Sequence, residues 1–159
     1  MRDFEDSDVM AQLAAIVTSA HTAVVGEDGE GVITSWNQGA QSLFGYDSLA
    51  AIGQPGTILV PDELREFERD ILLRIRNGER VARFDTVGRN RNGQAIDVSV
   101  LVSPIVDDNG KIIGMSKIAH DISERKRIER KLALLSSIVE SSHDAIVSTN
   151  LEGVIDSWN

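Results

Sequence analysis

The chain has 159 residues, with 25 acids against 16 bases, a formal net charge of -9 and no cysteine. That balance argues against nucleic acid as a direct partner, since a polyanion is held by basic surface, and the missing thiols exclude disulfides, thiolate chemistry and cysteine metal sites. No stretch approaches the roughly 18 apolar residues of a membrane helix and no basic region leads into a hydrophobic leader, so no membrane contact is expected from this segment and a cytoplasmic setting is the default.

In chain order, an acidic lead (Asp3, Glu5, Asp6, Asp8) precedes Val9, Leu13 and Ile16, whose spacing predicts a helix with one apolar face. A hairpin follows, from Ala23 through a turn at Asp28 and Gly29 to Trp36. Asn37 is placed to cap a short helix that Gly45 ends. Pro61 then opens the most helical stretch, residues 61–78, with Leu64, Phe67, Ile71, Leu72 and Ile75 on one side. Glu66, Glu68 and Asp70 on that helix suggest metal spacing, but residues two apart diverge around a helix, so they are expected on its solvated face.

From Arg80 the period changes to two. Val81, Arg83, Asp85 and Val87 fall on one side of a strand and Ala82, Phe84 and Thr86 on the other. Turns at Asn92-Gly93 and at 107–110 divide this strand from two more, one through Ile96 to Val102 and one through Ile112 to His120. Five strands with a helical segment between the second and third predict an α+β fold, an antiparallel sheet with helices over one face. Asp121 and Glu124 have capping-box spacing for a further helix, along which Ile128, Leu132, Leu135 and Val139 form an apolar seam suited to pairing with a copy of itself.

Residues 13–37 return as residues 135–159 with 14 of 25 positions identical. This is the signature of a tandem domain: one unit of about 120 residues followed by the opening of a second. The expected division is a flanking helix (1–20), a core (21–122), a connector helix (123–142) and the truncated start of the second unit (143–159). No nucleophile elbow and no phosphate-cradling glycine loop is present, so no catalytic or metal residues are assigned.

The stretch GVITSWNQGAQSLFGYDSLAAIGQP resembles the start of a PAS domain, and GRNRNGQAIDVSVLVSPIVDDNGKIIGMSKIAHDISERKRIE resembles its last two strands and exit motif. The resemblance implies a five-stranded antiparallel PAS sheet with helices over one face, flanked by N- and C-terminal helices. It also implies a sensory module of a multidomain signalling protein, a sensor histidine kinase above all. Other readings under the same resemblance are the sensor of a diguanylate cyclase and a ligand-free dimerisation or spacer unit. Phe67, Ile71, Arg83, Phe84, Val100 and Met115 are candidate cavity residues, with Thr86 and Lys117 beside them, although lysine at such a position more often faces solvent and Arg83 suits an exterior edge.

By the same resemblance, Asp121 and Arg125 lie in the motif that relays signal from core to output helix. Val9, Leu13, Ile16, Ile128, Leu132 and Leu135 are the candidate contacts of a homodimer, and the output domain would follow in the same chain. The family's covalent photoactive flavin needs a cysteine that this chain lacks, and the axial histidine of its haem sensors is replaced by Glu68. A non-covalent flavin, against which Trp36 could stack, or a small-molecule ligand stays open.

Overall fold

The computed structural model describes residues 22–142 and 145–159. The expected N-terminal helix, with Val9, Leu13 and Ile16, lies outside the described residues. Two compact units divide the chain, one running to Ile122 and the other from Ser123 to Asn159.

In the first unit, β1 (Ala23–Asp28) and β2 (Ile33–Trp36) form the hairpin. Asp28 Oδ1 accepts from the N–H groups of Glu30 (2.9 Å) and Val32 (3.0 Å), and Gly31 supplies the positive φ of 79° that closes the turn. Asn37 does double duty. Its Oδ1 caps α1 (Gln38–Phe44) by accepting from Ala40 N–H at 2.8 Å and also accepts from Val24 N–H at 2.9 Å, tying helix start to strand start.

A short α2 (Ser48–Ala51) is capped by Asp47. Two 3-10 turns follow, Gly56–Leu59 and Asp62–Leu64, so the long helix α3 spans Arg65–Arg76 rather than starting at Pro61. Pro61 is extended (φ -57°, ψ 154°), and the turn after it is tightened before the helix settles.

The sheet is completed by β3 (Val81–Arg89), β4 (Ala95–Val106) and β5 (Ile112–Asp121). Every pairing is antiparallel and the strand order is β2-β1-β5-β4-β3. One side of this sheet carries Ala23, Val25, Val98, Val100, Val102, Met115 and Ala119, which bury against Phe44, Leu59, Ile71 and Ile75 from the intervening segment. At about 25 cal/mol per Å² of apolar area this face supplies the main drive to fold.

The strict alternation expected in β3 is broken. A register shift between Val81 and Phe84 pairs Val81 with Val102 and Phe84 with Val100, two inward positions of β4. An irregularity of this kind inserts an extra residue and re-aims the side chains around it.

The second unit consists of α4 (Ser123–Ser141), β6 (Val147–Thr149) and β7 (Ile155–Trp158), the last two paired as an antiparallel hairpin. Along α4, Ile128, Leu132, Leu135 and Val139 are exposed.

Candidate functional site

Alternation in β1 sends Ala23, Val25 and Glu27 to the same buried face. In β5 the same rule sends Met115, Lys117 and Ala119 inward. The register sets Val25 opposite Lys117 and Glu27 opposite Met115, so Lys117 and Glu27 are diagonal neighbours within reach of a long side chain. On α3, Glu68 precedes Ile71 and Ile75 at helical spacing and shares their inward face.

The outcome is a buried charged cluster. Lys117 Nζ donates to Glu27 Oε1 at 2.7 Å and also to Glu68 Oε1. The side chains are 11% (Lys117), 1% (Glu27) and 14% (Glu68) exposed. Two expectations are corrected here: Lys117 faces the interior, and Glu68 leaves the solvated face on which Glu66 and Asp70 remain. Glu27 was not anticipated at all, although its parity with Ala23 and Val25 was the signal for it.

Charge is costly to bury unless it is paired and hydrogen-bonded. Burial pushes the Lys117 ammonium below the ordinary lysine value, and the attraction and hydrogen bond of Glu27 pull it partway back. Among the described residues no buried side-chain nitrogen or oxygen lacks a partner. Backbone shape is fitted to the acid as well. A Cβ on Gly56 would stand 2.2 Å from Glu27 Oε1, so the carboxylate occupies the space that any larger residue at 56 would need.

Lys117 and Glu68 form the polar end of a partly open cavity of about 50 Å³ whose other walls include Phe44, Phe67, Phe84, Thr86, Val98 and Val100. Phe67 and Phe84 meet edge to face, centroids 5.4 Å apart. On the far side of the cluster, Glu27, Glu68 and Met115 border a second hollow of about 210 Å³ under the β1–β2 turn, with Gly31, Pro55 and Leu72. Of the residues singled out in sequence, Phe67, Phe84, Val100, Thr86 and Lys117 therefore share the cavity. Ile71 packs in the core, Met115 borders the other hollow, and Arg83 is exposed beside the register shift in β3.

Residues 11–122 match the family of the PAS fold. The chain belongs to that family. Its relatives include the signal transduction histidine-protein kinase AtoS of Escherichia coli, 31% identical over 74% of this chain and 19% of that protein, and phytochrome C of Arabidopsis thaliana, 25% identical over 95% of this chain and 15% of that protein. The chain thus spans less than a fifth of the length of these curated relatives. Among solved structures it resembles the PAS domain of a protein from Colwellia psychrerythraea, with TM-score 0.68 and 25% identity over 74% of this chain and 99% of that one. It is a PAS module of the kind carried by signalling proteins.

Two of the family's cofactors can be tested against the PAS cavity. A flavin or haem needs a pocket of several hundred Å³, and the space here is about 50 Å³ with no histidine in its walls, so neither fits. Trp36 is also committed elsewhere: its Nε1–H donates to Tyr46 O at 3.0 Å and its ring lies 5.9 Å from that of Phe44.

At the exit of the PAS core, β5 runs to Asp121, Ile122 N–H donates to Asp97 O at 2.9 Å, and α4 begins at Ser123. Within α4, Arg125 Nε stands 3.9 Å from Glu129 Oε1. No described helix is long and apolar enough to cross a membrane.

Proposed function

We propose that this PAS module is the input stage of a dimeric sensor histidine kinase, in which the state of the cavity sets the position of α4 and through it an output domain in the same protein. The observation that carries the reading is the path of β5. The strand that places Lys117 in the cavity wall ends four residues later at Asp121 and is followed, after Ile122, by a 19-residue helix. The likeness to a histidine-protein kinase over 74% of the chain supports the same output.

In this scheme Asp121 and Arg125 relay the signal at the junction, and Ile128, Leu132 and Leu135 form the dimer seam. An exposed apolar row along a helix is a surface that a second copy would cover. Two states of the cavity shift α4 only if ligand or packing favours one of them energetically.

The chain's lack of cysteine makes the test clean. With Leu132→Cys as the sole thiol, oxidation is expected to give a disulfide-linked dimer. In the full-length protein, ATP is expected to label a histidine at a rate altered by Glu68→Gln. Labelled histidine with a rate indifferent to Glu68→Gln would support the ligand-free spacer reading, which the small cavity favours. Production of a cyclic dinucleotide in place of phosphohistidine would move the module to a diguanylate cyclase.

A further inference from the structure

The charged cluster and the cavity together restrict what can occupy this site. An ammonium has three N–H donors. Two of those on Lys117 meet carboxylates, Glu27 Oε1 and Glu68 Oε1, and Lys117 also borders the cavity. We infer that the cavity takes a small uncharged molecule with an apolar body and a single acceptor oxygen, of the short-chain ketone or aldehyde class, whose oxygen accepts the third N–H of Lys117. This deepens the sensory reading above and rests on it.

Size sets the first limit. A water needs roughly 10–15 Å³ of such space, so about 50 Å³ admits a body of about four heavy atoms. Charge sets the second. Lys117 already faces two carboxylates, so an anionic ligand would meet the Glu68 carboxylate in the same wall at low dielectric. A cationic ligand would meet the Lys117 ammonium there.

Wall chemistry sets the third limit. Beyond Lys117, Glu68 and Thr86 the side chains of the walls, Phe44, Phe67, Phe84, Val98 and Val100 among them, are apolar, so a polyol would bury more hydroxyls than they can meet. A plain hydrocarbon would satisfy the walls but leave the third N–H unmet. An aliphatic carbonyl compound satisfies walls and donor together.

Three molecules of nearly one shape separate these cases: acetone (neutral), acetate (anionic) and isopropylammonium (cationic). Each is titrated into the full chain while the methyl resonances of Val98 and Val100 are followed by NMR. Acetone is expected to shift both saturably, and the two ions to bind at least about tenfold more weakly, because each must bury a like-charge contact. Val98→Phe, which fills the cavity and leaves Lys117 in place, is expected to abolish the shifts, as is Lys117→Met where it folds.

Acetate or isopropylammonium binding as tightly as acetone would overturn the proposal, as would methyl resonances that ignore all three probes, the result of a cavity holding only water. If acetone fails but Glu68→Gln still alters output of the full-length protein, the ligand class falls and the sensory reading stands. If both fail, both fall.

Discussion

In the hairpin β1–β2, Asp28 Oδ1 accepts from the N–H groups two and four residues on, Gly31 turns the chain at φ 79°, Val25 pairs with Trp36, and Asn37 Oδ1 accepts from Val24 N–H at 2.9 Å. In β6–β7, Asn150 Oδ1 takes the same two N–H groups, Gly153 turns at 81°, Val147 pairs with Trp158, and Asn159 Oδ1 accepts from Ile146 N–H at 2.8 Å. The two differ in what surrounds them. Ile33 is 1% exposed and its counterpart Ile155 is 61% exposed, while Trp158 is 81% exposed. The hairpin's shape is therefore local, written in an Asx turn, a glycine and an asparagine, whereas burial comes from β5 and the helices of the first unit.

One residue difference carries chemistry. The position of Glu27 in the first hairpin is Thr149 in the second, where the backbone is the same. A glutamate is thus not needed to make the hairpin, and its role in the first copy is to meet Lys117.

Replacing Lys117 by Met is the strongest way to break this contrast. It leaves the carboxylates of Glu27 and Glu68 inside without their cation, and urea unfolding should show a loss of about 3–5 kcal/mol. Importing the second copy's residue as Glu27→Thr should also destabilise. The double variant should cost less than the sum of the singles, since the second change removes a charge that the first left unpaired. Additive losses would mean that Glu27 and Lys117 act independently.

A smaller effect is expected at Gly56, whose absent side chain makes room for the Glu27 carboxylate. Gly56→Ala should cost about 1–3 kcal/mol as an overpacked site. The same substitution in a Glu27→Thr background should be largely relieved, because the shorter side chain vacates that space. Equal losses in both backgrounds would place the clash on the backbone rather than on the carboxylate.

The asparagine that closes each hairpin tests the local half of the comparison. Asn37 caps α1 and holds Val24, so Asn37→Ala should lower the stability of the first unit by about 1 kcal/mol. Asn159 Oδ1 holds Ile146 and its Nδ2–H donates to Val139 O at 2.9 Å. Asn159→Ala should leave the unfolding midpoint of the first unit unchanged and show only as faster amide exchange in β6 and β7. A shift of the main transition by Asn159→Ala would show that the two units unfold together.

Much of this fold was legible because its signals are local. Periods of two marked the strands, and glycines and asparagines marked the turns. The charged cluster was not legible, because Glu27, Glu68 and Lys117 are brought together by sheet register and by the seating of α3, and neither leaves a mark in any short window of sequence. Helical spacing did put Glu68 on the face of Ile71 and Ile75, but a charge there reads as an exposed residue until its partner is known. Arg83, offered both to the cavity and to an exterior edge, is exposed; what the pattern missed is the register shift between Val81 and Phe84, which lets both face inward where strict alternation forbids it.

The last effect is a slope in pH rather than a step. Lys117 has a folded-state pKa below its ordinary value of about 10.4, with burial as the main cause and the attraction and hydrogen bond of Glu27 acting against it. Between the folded value and about 10.4 the unfolded chain binds more protons than the folded one, so the lysine's contribution to stability rises with pH across that window and is constant below it. The stability of the native chain minus that of Lys117→Met, followed by urea unfolding from neutral pH into the alkaline range, should therefore climb. If the difference instead falls as pH rises, the two carboxylates outweigh burial and hold the ammonium above its ordinary value. The cluster would then be a net sink for the proton, and the first hairpin would owe its glutamate to charge attraction stronger than the cost of burying it.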